Sequence, residues 1–205
     1  MSRFDAILFD FDGVLVDSEP VHWACWADVL APLGVTLEWD FYRRECIGID
    51  DRDMLRMMAA QSDPPHDWER LWAQYPAKKT LFRNRMVEGP QFPPEIGLLL
   101  EQLRGDYKLA VVSSSSTEEI EPILEAGGLR HHFLTVVGGN HVKQLKPAAE
   151  PYLLGAERIG ARTALVVEDS DAGLAAGRAA GFEVVRVAHP GEVPTRVLER
   201  LGSSL

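Results

Sequence analysis

Cysteine is scarce in this chain. Cys25 and Cys46 are the only two in 205 residues, too few for a disulfide framework and without metal-type spacing, so buried free thiols in a reducing compartment are expected. Long apolar runs are missing as well. No stretch approaches the roughly 20 apolar residues that cross a bilayer. Met1 to Asp12 has one early Arg and then a short apolar run broken by Asp, which is neither a signal nor a transit peptide. The expectation is a cytoplasmic protein without membrane attachment. Positive charge is the third shortage: 21 Lys and Arg face 31 Asp and Glu, a formal net charge of −10. Nucleic acid and anionic lipid surfaces are therefore disfavoured partners, although phosphate can be bound where a metal ion and a few local cations reverse the field. There is no internal repeat and no low-complexity tract. A length of 205 residues allows one full domain with its own core plus a modest insertion, and a monomer is the default.

What is present is a set of short apolar runs that end in small or acidic residues. Ala6–Phe9 stops at Asp10, Leu109–Val112 at Ser113, Phe133–Val137 at Gly138-Gly139, and Ala164–Val167 at Glu168-Asp169, with Val184–Val187 as a fifth. Continuous runs of this length suit strands buried on both faces of a parallel sheet. Helical segments separate them. Ser116 with Glu119 reads as a capping box, and Gly127-Gly128 as its stop. Pro147 suits the first turn of a helix running to about Gly160, and another begins after Ser170 and ends near Gly181. The alternation predicts an open, doubly wound α/β sheet.

Residues from about Pro20 to Val87 break the alternation. Pro20 and Gly34 bracket one amphipathic helix, with Val21, Cys25 and Val29 on a shared face. Further helices are expected over Asp51–Ala60 and Asp67–Met86, separated by Asp63-Pro64-Pro65. The predicted organisation is a core of residues 1–17 and 88–205 with an all-helical cap over 18–87. A helical insert after the first strand would sit over the carboxyl ends of the strands, where such sheets bind ligands.

Those strand ends carry the chemistry. Asp10, Asp12, Ser113, Glu168 and Asp169 follow three of the runs and Lys146 follows the third, so a parallel sheet brings them to one edge. Gathered carboxylates repel unless a cation joins them, and an oxygen-only set of high charge favours Mg²⁺. Asp10-Phe11-Asp12-Gly13-Val14, Ser113, Lys146-Pro147 and Glu168-Asp169-Ser170, in that order, resemble the four motifs of the haloacid dehalogenase superfamily of phosphohydrolases. Asp10–Glu19 and Val167–Gly181 are especially similar to the subgroup of β-phosphoglucomutase and small sugar-phosphate phosphatases. The resemblance implies a Rossmann-like core with a small helical cap. It also implies an aspartyl-phosphate on Asp10, acid–base work by Asp12, and a phosphoryl oxygen held by Ser113 and the Ser114 amide. Lys146 would neutralise charge, and Mg²⁺ would be held by Asp10, Asp12 (through its carbonyl), Asp169 and Glu168, the last through a water. An acid at Asp12 suits oxygen leaving groups, whereas the superfamily's dehalogenases lack one there.

In the cap, His22 stands where the β-phosphoglucomutase group often has a hinge histidine, and equally reads as an ordinary helix histidine. Lys78 and Lys79 could meet substrate phosphate from the cap, Lys78 being the candidate, with solvated surface charge expected for at least one of the two. The five tryptophans, Trp23, Trp26, Trp39, Trp68 and Trp72, are accounted for mainly by packing. The mutase pattern has an arginine where Asp51 stands here. Either Arg52 next to it binds substrate phosphate after a one-residue shift, or the protein holds bisphosphates poorly because a carboxylate would repel a second phosphate, and the latter is favoured. A phosphatase acting on a small phosphorylated metabolite, a sugar or polyol phosphate, is therefore preferred. A β-phosphoglucomutase and a non-catalytic phosphometabolite-binding module are the alternatives.

Overall fold

The computed structural model describes residues 3–202. The chain divides into two compact units, Met1–Asp17 with Gly89–Leu205, and Ser18–Glu88. The first is built on a parallel sheet of β1 (Ala6–Phe9), β2 (Lys108–Val112), β3 (Thr135–Val137), β4 (Ala164–Glu168) and β5 (Glu183–Arg186), in the order β3-β2-β1-β4-β5. In register, Leu8 pairs with Ala110 on one side and Val166 on the other. Residues two apart share a face, so Ala6, Leu8, Ala110, Val112, Ala164 and Val166 form one cluster with Tyr152, Ala156 and Ala176. The intervening Ile7, Phe9, Leu109, Val111, Leu165 and Val167 are equally buried. Burial on both faces is why the strands read as continuous apolar runs rather than alternating ones. The chain leaves β1 toward β2 and β3 and returns to β4 on β1's other side. The carboxyl ends of β1 and β4 therefore flank a topological switch point, where open α/β sheets place their ligands.

The second unit is all helical: α1 (Glu19–Leu30), α2 (Trp39–Glu45), α3 (Asp51–Gln61), α4 (Trp68–Trp72) and α5 (Tyr75–Glu88). Asp50 and Asp67 cap α3 and α4 by accepting from the Arg52 and Glu69 amides. The buried face of α1 is Cys25, Trp26 and Leu30 rather than Val21, Cys25 and Val29. The Trp26 indole is larger and is tied by its Nε1 to Asp51 Oδ1 at 2.8 Å. The single helix expected over Asp67–Met86 is two. Pro76 cannot sit inside a continuous helix and lies instead in the first turn of α5, while Trp72 and Tyr75 stack across the break at 4.5 Å. All five tryptophans belong to this unit's apolar cluster.

The sheet unit is completed by α6 (Pro94–Leu103), α7 (Thr117–Ala126), α8 (Glu150–Arg158), α9 (Asp171–Ala179) and α10 (Val193–Leu201). Ser116 does start α7, but the reciprocal capping box is absent. Its hydroxyl donates to Glu119 Oε2 at 3.4 Å instead of accepting from the helix. The helix expected from Pro147 begins only at Glu150, with Pro151 in its first turn. The loop before it is organised by Glu150, whose carboxylate accepts from the amides of Lys143 and Gln144, both at 2.9 Å. Phe133 precedes β3, closing a 3-10 turn over Arg130–His132. Among the described residues no helix is long and apolar enough to cross a membrane.

Candidate active site

The centre of the site is Lys146. Its Nζ donates to Asp10 Oδ1 at 2.6 Å, Glu168 Oε1 at 2.6 Å and the Val112 carbonyl at 2.9 Å. One ammonium thus ties together the carboxyl ends of β1, β2 and β4. The lysine side chain is 5% exposed and Glu168 is fully buried, so these are charge-assisted bonds in a dry setting. Burial alone would pull the lysine down, but Asp10 and Glu168 outweigh it and hold Lys146 above its ordinary value. Glu168 is saturated. Its Oε1 also accepts from the Tyr152 hydroxyl at 2.7 Å, and its Oε2 accepts from the Asp169 amide, the Ser170 amide and the Ser170 hydroxyl.

Asp10 and Asp169 carry the remaining charge. Asp10, Glu168 and Asp169 each offer a carboxylate oxygen, all within 4.8 Å of one another. Burial raises the Asp10 carboxyl well above its ordinary value, and Glu168 and Asp169 add to this against Lys146. Burial and then Glu168 push Asp169 up to about 6. One lysine does not neutralise three carboxylates, and the donors are all oxygen. This set fits a hard divalent cation. Asp10 and Asp169 are its direct candidates, because Glu168's oxygens are spent on hydrogen bonds. The approach between loops is close: Gly13 has φ +73°, and a Cβ there would run into the Asp169 carboxylate.

Asp12 is held by the third of the serines that follow β2. Ser115 Oγ donates to Asp12 Oδ2 at 3.0 Å, and the Ser115 amide donates to the Ser113 hydroxyl at 3.0 Å. Ser113 is 2% exposed and its own amide donates to the Val137 carbonyl. Ser114 is exposed. The loop carrying Asp12 is fixed locally, with the Gly13 amide on the Val16 carbonyl and an Asp12–Val16 bridge. Ser115 and Tyr152 are the site residues that sequence reasoning passed over. Ser115 stands between Ser113 and the Ser116 helix start with no signal of its own, and Tyr152 is a lone hydroxyl in an apolar helix face six residues after Lys146.

The helical unit gathers a different set. Lys78 is 3% exposed and donates to His22 Nδ1 at 2.7 Å and Asp51 Oδ2 at 3.1 Å. Burial, and then the Lys78 charge, lower His22 well below its ordinary value, so it is the neutral acceptor; its ring stacks on Phe82 at 3.9 Å. Lys78 is thus the buried lysine and Lys79 the more accessible one. Arg52 is exposed and lies 4.7 Å over the Trp72 ring, outside this cluster.

The profile of the haloacid dehalogenase-like hydrolases matches residues 7–187. The fructose-1-phosphate phosphatase YqaB of Escherichia coli K12 is 32% identical over 193 residues, covering 90% of this chain and 97% of that protein. A phosphorylated carbohydrates phosphatase of Thermotoga maritima is 29% identical over 87% of this chain and 82% of its own length. Among solved structures, a β-phosphoglucomutase-like protein of Thermotoga maritima superposes with a TM-score of 0.76 at 27% identity, over 96% of this chain and 99% of its own. A profile that spans the chain from β1 through β5, together with a relative above 30% identity along nearly its whole length, is decisive, and the chain belongs to the haloacid dehalogenase-like hydrolases.

Proposed function

We propose that this hydrolase is a Mg²⁺-dependent phosphatase of a small sugar or polyol phosphate, working through an aspartyl-phosphate on Asp10. The observation that carries the reading is the pairing of Asp10 with Lys146 at the switch point, with Asp12 two residues on and held by Ser115. The names of the relatives, phosphatases of fructose 1-phosphate and of phosphorylated carbohydrates, support the substrate class.

In this mechanism an Asp10 oxygen attacks phosphorus, and the bond from phosphorus to the ester oxygen breaks in line. Asp12 gives its proton to the departing alkoxide, releasing the alcohol. A water then loses a proton to Asp12 and attacks the same phosphorus. The bond to Asp10 breaks, inorganic phosphate leaves, and both aspartates are restored. Lys146 fixes the rotamer of Asp10 and offsets its charge, while the Ser113 hydroxyl and Ser114 amide hold phosphoryl oxygens. Glu168 orients Lys146. Asp10, Asp169 and the Asp12 carbonyl would hold a divalent cation, which would supply screening of the repulsion between carboxylate and phosphoryl oxygens.

The helical unit serves in this reading as a cap that excludes water and selects substrate. Asp51 favours a phosphatase over a mutase, because its carboxylate is committed to Lys78 and Trp26 and offers a second phosphate no grip. A non-catalytic binding module would have no use for a complete acid set. The test is a phosphate-release screen over sugar, polyol and glycolate phosphates with Mg²⁺, paired with a glucose 1-phosphate isomerisation assay primed by a bisphosphate. Phosphate release without primed isomerisation is expected; isomerisation as the faster reaction would overturn the phosphatase reading. The remaining parts of the proposal are a cytoplasmic monomer and no role for nucleic acid.

A further inference from the structure

The amino-terminal edge of the sheet carries a second cluster of metal-type ligands, opposite the strand ends that hold Asp10 and Asp169. Glu101 lies in the last turn of α6, ahead of β2, and His131 and His132 lie in the 3-10 turn ahead of β3. Each residue offers one donor atom, and the three donors lie within 4.8 Å of one another. The His132 side chain is 6% exposed, and its Nδ1 is buried without a hydrogen-bond partner. A buried ring nitrogen left unsatisfied is an unusual feature that calls for a partner.

The nearest candidate is Glu101. Its Oε2 stands 3.5 Å from His132 Nδ1, with no hydrogen bond between them. That separation is close to the roughly 3.3 Å between two donors on one tetrahedral zinc. Arg104 takes the other carboxylate oxygen, Oε1, at 2.9 Å and so turns Oε2 inward, the orienting role of an outer partner at a metal site. His131 lies beside His132 with ring centroids 3.9 Å apart and the planes tilted by 38°. Glu101 and His131 are both exposed, which gives an ion a path from solvent and lets both side chains close on it. Burial, with His131 and Arg104, lowers His132 below its ordinary value against the pull of Glu101, which keeps the imidazole neutral and able to donate its lone pair.

We propose that Glu101, His131 and His132 bind a transition-metal dication of the Zn²⁺ class, with solvent completing the coordination. The site is independent of the acidic cluster: mixed imidazole and carboxylate donors suit zinc-like ions, whereas the all-oxygen set suits Mg²⁺.

The test is a Co²⁺ titration of metal-free full-length protein in excess Mg²⁺, read by visible absorption and equilibrium dialysis. Four- or five-coordinate Co²⁺ with imidazole ligands absorbs far more strongly than six-coordinate Co²⁺ among oxygens, so the two clusters are distinguishable. One equivalent with the intense band is expected, retained in Asp169→Asn and bleached by Zn²⁺. His131→Gln and Glu101→Gln, both at exposed positions, should each weaken binding by at least about tenfold. Absence of the band, or unchanged affinity in either variant, would overturn the proposal.

Discussion

Removing the divalent cation should destabilise this protein in a pH-dependent way, and the size follows from Asp169. In the metal-free fold its carboxyl is raised from 3.8 to about 6 by burial and by Glu168. Between about pH 4 and pH 6 the folded form therefore holds a proton that the unfolded chain has released, and stability falls as pH rises through that window. The deficit is complete above pH 6 and amounts to roughly 3 kcal/mol for this one group. Asp10 is raised in the same direction and adds to it. A bound cation favours the ionised carboxylates and removes the deficit. For a chain of this size each kcal/mol moves Tm by about 2–4 °C, and about half of the deficit develops above pH 5, so the gap between metal-free and Mg²⁺-loaded protein should widen by roughly 3–6 °C from pH 5 to pH 7.5. Thermal denaturation of dialysed protein, with and without Mg²⁺ across that range, measures the gap; exposed carboxylates cancel in the difference. Asp169→Asn should recover much of the loss in the metal-free form at pH 7.5. A gap that stays constant or narrows as pH rises would refute the idea that these carboxylates converge on one ion.

Three further outcomes are expected. Asp10→Asn should abolish phosphate release, and Asp12→Asn should leave at most a slow phosphorylation step, since general acid–base groups contribute about 10²–10⁴-fold; steady-state and single-turnover assays separate the two. Tyr152→Phe removes a hydroxyl from the buried Glu168 Oε1 and should cost about 1–3 kcal/mol in urea denaturation, with kcat lowered more than KM raised. Gly173→Ala drives a Cβ into the Glu168 carboxylate at the start of α9, and should lower Tm where an alanine inside a helix would ordinarily raise it.

Much of this was legible in the sequence, for physical reasons. The runs ending at Asp10, Ser113 and Glu168 are continuous because their strands are buried on both faces, and a parallel sheet has only one carboxyl edge. The start of α9 was equally readable, since Ser170 accepts from the Gly173 amide as an N-cap should. What escaped were decisions made by tertiary partners. Lys78 reads as a candidate phosphate ligand, and nothing local shows that His22 and Asp51, distant in sequence, close around it. Pro147 lost the helix start to Pro151 because Glu150 was needed by the loop before it. No local pattern shows that Tyr152 supports Glu168, or that Ser115 rather than Ser113 bonds the Asp12 carboxylate.

The most direct test of the central claim is chemical trapping of the phosphoenzyme. Protein mixed with a turned-over sugar phosphate and Mg²⁺ is quenched within one turnover, reduced with borohydride and mapped by peptide mass spectrometry. The account predicts reduction of an acyl-phosphate at Asp10 alone, dependent on the cation. Turnover with Asp10 unmodified, or a trapped phosphoryl group on another residue, would contradict it.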